Sequence, residues 1–519
     1  MQKKGKLIML IILVVLVAGA VVFGIMYGSR QTAGPSDTTS GAGAANAGSA
    51  QIHLSEGDTT VSGTGISLDQ KRVIINRGGT YSLDGELTDG QIYVKVGDAE
   101  TVTLSLDGVT LSNKTDHPIH VENAGETILT SGTDAVNTIT AGTGVSVGSN
   151  KETQVAAVYS RDDLTIEKGN YNVTASGDGL HSNDDIKIKD GNITIECGDD
   201  GVHANEELKV KDGSVTVKQS YEGLEANQII IEDGEHDITA SDDGLNANGG
   251  QNSFGGGPGG GRGFGRKSDS DAGKPDTGGG FGGGIPGKDT NKQGNAGTPQ
   301  DNAGTVQDED ESADEGTDDG TNTEKTPNLT ITGGKLTVNA GGDGLDSNGN
   351  LTVTGGEIYV DGPTSDGNGA IDSGSENGGT CRIEGGTVIA VGSSGMAETF
   401  DDSSTQCSFR YNFESHFEAD TEISIQDEKG KEIFGYKLKK PSSSVVFSSP
   451  ELEKGGKYTI RMGDQTEEIT LSDISSTFGT ETRGMGGRGG HGGGKRQGGM
   501  TMAQEETETV SHVVKETDF

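Results

Sequence analysis

The sequence predicts an all-β protein: a parallel (right-handed) β-helix solenoid with about 21–22 residues per coil, plus a small C-terminal β cap or sandwich. The first observation is a repeated motif, in which an acid is followed by Gly, Leu or Val, any residue, Ala or Ser, and Asn. Its acid recurs at regular intervals, at Asp178, Asp200, Glu222 and Asp243. Such a short, constant period is typical of stacked architectures in which each repeat contacts only its neighbours.

The second observation is the sequence between the acids. Short runs there alternate apolar and polar residues, as in 186–188 with 193–195. Asp-Gly turn pairs, at 190–191 and again at 212–213, separate the runs. Each repeat is therefore expected to hold about three short strands and no helix. Right-handed crossovers are the default for such parallel strands.

The N-terminal segment 1–28 is predicted to be a transmembrane anchor or a signal. Lysines precede an apolar run over 7–27, which is long enough to cross a bilayer. The small residues at 18–20 resemble a cleavage site, but the apolar run continues beyond them, which favours an uncleaved anchor. Retained lysines would place the rest of the chain outside the cell. Residues 29–50, rich in Gly, Ala, Ser and Thr, are predicted to be a flexible linker.

Composition divides the rest of the chain. The strand repeats of 51–248 are predicted to form the first part of the β-helix, and the same pattern resumes over 327–407. Between them, 249–326 is Gly-rich and acidic, and is predicted to be a disordered insertion. Closure entropy grows slowly with loop length, so one β-helix is expected to continue across it. Aromatic residues concentrate in 408–474, the predicted small β domain or cap, and 475–519 is predicted to be a disordered tail.

Stacking would bring the acids of successive coils together. Neighbouring strands lie roughly 4.8 Å apart, so Asp178, Asp200, Glu222 and Asp243 would form a column of carboxylates. At about 5 Å and an effective dielectric constant of about 20, two such charges repel by roughly 3 kcal/mol, which is large against the stability of a typical fold. Bound cations or protons must compensate. Carboxylate, Asn and backbone oxygens form a hard oxygen cage, which predicts Ca²⁺ as the cofactor.

Two further sets of side chains accompany the acids. His181 and His203 lie one period apart and are interpreted as stacked corner residues. The Asn that closes each motif is interpreted as part of a hydrogen-bonded ladder at the corner of the coil, with support of the metal as the alternative. These Asn residues are Asn183, Asn205, Asn227, Asn248 and Asn348.

Charge and cysteine content restrict the function. The formal net charge is -40, which argues against nucleic acid or an anionic membrane surface as a partner. Contact with the membrane is expected through the N-terminal segment only. Three cysteines are too few for a disulfide framework. Cys197 is predicted to be a small buried hydrophobe, and a disulfide between Cys381 and Cys407 is left open.

The repeated motif, together with the sequences at 81–85 and 106–111, resembles the bacterial carbohydrate-binding β-helix proteins that bind polygalacturonate and cellulose and have a pectate-lyase-like fold. The resemblance covers residues 60–405 and implies a non-catalytic surface binder of plant cell-wall polysaccharide with calcium sites. The Gly-rich insertion, the glutamate at 222 and the lack of a lipid-anchor cysteine depart from it. The family's acidic turns fall on Asp178, Asp199, Asp200, Glu222, Asp242, Asp243 and Asp343.

The predicted function is calcium-dependent binding of an acidic, polygalacturonate-like polysaccharide by a monomeric protein. Calcium would bridge two polyanions that otherwise repel, whereas cellulose is disfavoured because the chain has no Trp and only 4% aromatic residues. One alternative is a polysaccharide (pectate) lyase with Lys187, Lys209 or Lys211 as the base. Another is a structural or adhesive surface protein without a specific glycan. The expected location is the extracellular face of a bacterial cell membrane, anchored, or the medium after secretion.

Overall fold

The computed structural model describes residues 47–148, 154–248 and 325–480. The predicted anchor, nearly all of the predicted linker and insertion, and the tail beyond residue 480 lie outside these ranges. The described chain is all-β, and its one helical element is a short 3-10 turn at Gly374–Asn377. Within the described ranges, no helix is long and apolar enough to cross a membrane.

The strands before the second described range open the stack. They are β1 (Gly48–Leu54), β2 (Thr60–Thr64), β3 (Ile66–Asp69), β4 (Arg72–Ile75), β5 (Gly79–Leu87), β6 (Gln91–Lys95), β7 (Thr101–Leu106), β8 (Thr110–Asn113), β9 (Ile119–Asn123), β10 (Glu126–Thr130) and β11 (Val136–Ala141). β1 runs parallel to β5 and antiparallel to β2, so a hairpin covers the first repeat. β1 begins at Gly48, inside the predicted linker, because its alternate residues are buried.

The second described range contains the regular repeats. Its strands are β12 (Val158–Ser160), β13 (Asp163–Lys168), β14 (Asn170–Ala175), β15 (Leu180–Ser182), β16 (Ile186–Ile188), β17 (Asn192–Cys197), β18 (Val202–Val210), β19 (Ser214–Gln219), β20 (Leu224–Ile231), β21 (Glu235–Ala240) and β22 (Leu245–Ala247). The third range continues with β23 (Asn328–Ile331), β24 (Lys335–Ala340), β25 (Leu345–Ser347), β26 (Asn350–Val353), β27 (Glu357–Asp361), β28 (Ile371–Ser373), β29 (Cys381–Ile383) and β30 (Thr387–Gly392).

Strands of successive repeats pair in parallel, mostly with unbroken register, in one large sheet. Apolar residues stack on apolar residues and form the core, because the side chains of a strand alternate between two faces. One fully buried row shows the pattern. It contains Leu164, Ile186, Leu208, Ile229, Leu329, Leu351 and Cys381.

The repeats are not all of the predicted length. Leu180 pairs with Val202, one predicted period further along the chain, whereas His120 pairs with Tyr159, nearly two periods further along. Leu345 pairs with Ile371, and extra residues precede β28 in that repeat. The predicted period therefore describes the central repeats, and the outer ones carry longer connections.

The stack continues across the gap between Asn248 and Lys325. Ile229 of β20 pairs with Leu329 of β23, and Leu245 of β22 pairs with Leu345 of β25. The partners of both pairs are far apart in sequence, yet the strands meet in the register of neighbouring repeats.

The C-terminal strands close the other end. They are β31 (Ser408–Phe417), β32 (Glu422–Asp427), β33 (Glu432–Lys437), β34 (Ser442–Ser448), β35 (Lys457–Met462), β36 (Gln465–Thr470) and β37 (Ser475–Gly479). β34 pairs antiparallel with β30 and so joins this region to the large sheet. The strands β32, β33, β35 and β36 form a separate antiparallel sheet over a second apolar core.

One detail differs from the sequence predictions, and another answers a question that the sequence left open. The predicted disordered tail begins with a strand, since β37 pairs in parallel with β31 and Phe478 packs against the second core. Cys381 and Cys407 are free thiols, as is Cys197, and all three are buried. Cys381 lies in the inner apolar row of the stack and Cys407 in the second core, so the two thiols serve different clusters.

Candidate metal centre

Glycine of the repeated motif determines how closely the acids approach one another. A Cβ added to Gly179 would lie 2.5 Å from the carbonyl oxygen of Gly201 and 2.6 Å from Cγ2 of Ile195. The glycines at 201, 223, 244 and 344 have the same kind of surroundings. Only glycine leaves room for the backbone of the next repeat at this position. The backbones of successive repeats therefore lie close together here, and so do the acids that precede the glycines.

The acids form an extended cluster along the stack. Asp178 Oδ1 accepts a hydrogen bond of 3.0 Å from the backbone N–H of Asp200. Asp243 Oδ1 accepts one of 2.6 Å from Asp343, whose own Oδ1 accepts one of 2.5 Å from Gly369. Each of these carboxylates therefore has partial backbone support from the following repeat.

The central acids are deeply buried. Asp199 and Asp200 are each 4% exposed and Glu222 is 5% exposed. Burial, and then the charge of Glu225, raise the pKa of Asp200 well above its usual range. The same two causes, with Asp200 and Asp243 adding to them, raise the pKa of Glu222. The protein thus supplies less positive charge here than these carboxylates need.

The acids at the other end of the cluster behave in the same way. Burial and the neighbouring Asp242 raise the pKa of Asp243 to about 7. Burial raises the pKa of Asp343 to about 8, against the hydrogen bond from Gly369, with repulsion from Asp243 adding to the increase.

Oxygen atoms converge at two places in the cluster. Ligand atoms of Asp178, Asp199 and Asp200 lie within 4.8 Å of one another. A Cβ added to Gly342 would collide with Oδ1 of both Asp242 and Asp243 and lie 3.0 Å from Nδ2 of Asn368. Converging carboxylate oxygens of this kind suit a hard cation such as Ca²⁺, which takes oxygen ligands at about 2.3–2.6 Å. All seven acids predicted from the sequence belong to this region.

A second column, three positions after each acid, lies beside the first. In its aromatic half the rings are stacked. The ring centroids of Tyr159 and His181 are 5.2 Å apart with an interplanar angle of 19°, and those of His181 and His203 are 4.7 Å apart with an angle of 14°. Its other half is acidic or amide. The column runs in register through Tyr93, His120, Tyr159, His181, His203, Glu225, Asn246, Asp346 and Asp372.

This column contributes Glu225, which sequence analysis missed, and contacts of His181 and His203 with the acids that it did not predict. His203 Nδ1 lies 2.9 Å from Asp200 Oδ2 and 2.9 Å from Glu225 Oε2. His181 Nδ1 lies 2.8 Å from Asp178 Oδ2, so the predicted stacking of the two imidazoles is accompanied by contact with the acids. The signal was available, since the position two residues before each motif Asn carries His, His, Glu, Asn and Asp.

Where the second column meets the acids, some groups are stabilised in their charged form. Burial alone would lower the pKa of His203, but Glu225 and Asp200 raise it well above its usual range. Burial opposes ionisation of Glu225, but His203 holds the pKa of that carboxyl well below its usual range. Burial likewise opposes ionisation of Asp178, whose pKa is nevertheless lowered by its hydrogen bond with His181 and by the charge of His203.

The Asn residues of the motif have different roles. Asn183 Oδ1 lies 3.2 Å from His181 Nε2, and Asn205 Oδ1 lies 3.1 Å from His203 Nε2. Asn248 Nδ2 donates to Glu225 Oε1. Asn227 is buried, whereas Asn348 is exposed. The Asn side chains that contact the second column therefore support its rings and its glutamate.

Of the lysines considered as bases, Lys187 and Lys209 lie on strands, whereas Lys211 directly follows β18. Lys187 and Lys209 stand opposite each other in β16 and β18. Lys209 Nζ forms an ion pair of 2.5 Å with Glu232 Oε1.

Known proteins share parts of this sequence. Residues 69–367, more than half of the chain, match the model of a family described as carbohydrate-binding domain-containing protein. A protein of the same description from Acetivibrio thermocellus is 32% identical over 115 residues, which are 22% of this chain and 40% of that relative. The match thus spans well under half of the relative's length.

A solved structure, titled as the polysaccharide lyase-like protein from C. thermocellum in a gadolinium derivative, is 27% identical. The alignment covers 38% of this chain and 85% of that one, with a TM-score of 0.35. Since the family model matches more than half of its length, the chain belongs to the carbohydrate-binding domain-containing protein family.

Proposed function

We propose that this protein binds acidic polysaccharide, of the polygalacturonate kind, through calcium ions held by the stacked acids, and that it does so without catalysis. The observation that carries the proposal is the concentration of buried carboxylates from Asp178 to Asp343, whose pKa values burial and mutual repulsion raise at Asp200, Glu222, Asp243 and Asp343. At neutral pH such a group needs cations to ionise fully.

The donor atoms favour calcium at most of these positions. The groups around Gly342 and around Asp199 supply carboxylate oxygens, which are ligands of hard cations. The group at Asp199 offers three carboxylates, whereas calcium takes about six to eight oxygen ligands, so a bound ion would keep positions for further oxygens. Carboxylates of a uronate polymer are suited to fill them.

Family membership supports a carbohydrate partner, and the open positions on a bound ion together with the stacking of the rings favour an acidic one. The net charge of -40 requires cations between this protein and a polyanion. The rings of Tyr159, His181 and His203 stack on each other, so their broad faces are covered. Open flat faces are what neutral glycans such as cellulose would need.

The wider setting is part of the same proposal. The parallel stacking supports a closed, right-handed β-helix along which the calcium ions would form a row. The apolar N-terminal segment supports anchoring at the extracellular face of a bacterial membrane, or secretion after cleavage, with the protein acting as a monomer.

Binding of the full chain to polygalacturonate, measured by calorimetry in calcium and in EDTA, tests the proposal. We expect EDTA to abolish binding and Asp343→Asn to weaken it at least tenfold. Asp237→Asn, on an exposed position of β21, is the matched control and should bind like the parent chain. Binding that persists in EDTA would contradict the proposal, and so would unsaturated products absorbing in the ultraviolet, which would instead establish a lyase.

A further inference from the structure

The junction between the two columns contains one imidazole nitrogen and two carboxylates. Asp200 precedes β18, His203 lies in β18 and Glu225 lies in β20, so parallel pairing of the two strands brings the three side chains together. Oδ2 of Asp200 and Oε2 of Glu225 each lie 2.9 Å from Nδ1 of His203. The ligand atoms of all three side chains lie within 4.8 Å of one another, a spacing from which they can converge on one small ion.

Asn205 prepares the imidazole for such a contact. Its Oδ1 lies 3.1 Å from Nε2 of His203 and accepts a hydrogen bond from the N–H there. With the other ring N–H held on Nε2, Nδ1 is the nitrogen that faces the two carboxylates, and a bound cation there would take the place of the Nδ1 proton. A hydrogen bond on the far ring nitrogen is the usual way in which proteins orient a metal-ligating His.

A buried amide gives independent support. Asn246 stands opposite Glu225 in the next strand and is 6% exposed. Its Nδ2 donates to Glu222 Oε2 at 2.9 Å, so the side chain reaches into the cluster. Its Oδ1 is buried and has no hydrogen-bond partner among the described residues, which is an uncommon arrangement that a nearby cation or its bound water would relieve.

We propose that Asp200, His203 and Glu225 form a second kind of cation site, which takes a first-row transition-metal dication such as Zn²⁺ in preference to calcium. Imidazole nitrogen is a ligand of zinc, cobalt and nickel, whereas calcium takes oxygen. The site shares Asp200 with the oxygen-only group, so the two ions would be neighbours along the stack. The inference depends on the cluster's geometry and holds whether or not the protein binds a glycan.

His181 is an internal control for this site. Its Nδ1 contacts Asp178 and its Nε2 contacts Asn183, as in the repeat of His203. The residue opposite it in the next repeat is His203 rather than a carboxylate, so the position of the second acid is taken by an imidazole. Zinc affinity should therefore depend on His203 and Glu225 much more than on His181.

The test is a calorimetric titration of the metal-free full chain with Zn²⁺ in an excess of Ca²⁺, repeated with Co²⁺ while visible absorption is recorded. We expect a zinc site that excess calcium does not displace, and at least tenfold weaker binding in His203→Gln and Glu225→Gln. His53→Gln, at an exposed position of β1 outside the cluster, should bind zinc like the parent chain. Melting temperatures of all three variants check that each one folds.

Equal zinc affinity in His203→Gln and the parent chain would overturn the inference, as would displacement of zinc by equimolar calcium. It would also fail if no zinc bound and His203 formed only an ion pair with its two acids. These results are independent of polygalacturonate binding in calcium, so failure here and failure of the proposed function can be told apart.

Discussion

Removal of divalent cations should lower the stability of this protein by an amount that grows as pH rises. Asp243 has a pKa raised from 3.8 to about 7, and Asp343 one raised from 3.8 to about 8. Between these limits the folded chain holds protons that the unfolded chain has released, so the free energy of unfolding decreases with increasing pH. Between pH 5.5 and its pKa of about 7, the contribution of Asp243 falls by about 2 kcal/mol, since one pH unit corresponds to about 1.4 kcal/mol, and mutual repulsion makes the contribution of Asp343 overlap with it.

Three buried or partly buried histidines act in the opposite sense, because burial lowers their pKa values and the folded chain gains stability as pH rises through their ordinary value of 6.5; they are His117, His120 and His236. This gain should be the same in EDTA and in calcium, so the effect of the acids is the difference between the two conditions. The lowered pKa values of Asp178 and Glu225 give stability that is already complete above about pH 5 and is lost only in acid. The raised pKa of His203 gives stability that is also lost as pH rises. Bound calcium should remove most of the decrease, because it replaces the protons that the carboxylates lose.

Urea denaturation at pH 5.5 and 8.5, in EDTA and in calcium, measures these quantities. We expect the free energy of unfolding in EDTA, relative to that in calcium, to fall by several kcal/mol between the two pH values. Asp243→Asn should show a smaller loss in EDTA, whereas Asp237→Asn on the exposed face should behave like the parent chain. A difference between EDTA and calcium that stays constant or shrinks as pH rises would refute the reasoning about the buried acids.

Three further predictions concern the fold. Gly201→Ala should lower the free energy of unfolding by about 1–3 kcal/mol, because its Cβ would lie 2.5 Å from the carbonyl oxygen of Gly223, while Gly132→Ala, with nothing of the described chain within 4 Å, should be nearly neutral in chemical denaturation. A chain ending before Ser475 should melt at a lower temperature than one ending at Thr480, since only the shorter one lacks β37; equal melting temperatures would contradict its role. The three thiols should react with Ellman's reagent in denaturant and scarcely without it, because all are buried, and rapid reaction of the native protein would count against this packing.

Much of the strand arrangement could be predicted because one signal was repeated. The motif acids and the alternating runs between them report both the period and the inward face, and parallel pairing of Leu180 with Val202 follows from them. The outer repeats could not be predicted in this way. The long stretch between the paired residues His120 and Tyr159 carries no copy of the motif, and such connections obscure the period.

The sequence predicted the acids that supply oxygen atoms to the site, but it did not predict all of the residues that contact them. Acids were recognised because they recur before glycine, but Glu225 occupies a position that is His in the two preceding repeats. When each position is considered alone, this change from His to Glu looks like ordinary variation between repeats. The strand register shows that the change has a chemical role, since it places Glu225 opposite His203, with Oε2 of Glu225 2.9 Å from Nδ1 of His203.

The strand pairs that join β20 to β23 and β22 to β25 have a practical consequence. Hydrogen bonding and apolar packing, rather than the peptide connection, align the two halves of the stack, since Ile229 meets Leu329 in the ordinary register. The junction after Asn248 therefore provides a place where a guest domain can be displayed without shifting the scaffold. Its length and composition are free to evolve independently of the acids, so one lineage could acquire new surface properties there while keeping the same ion chemistry.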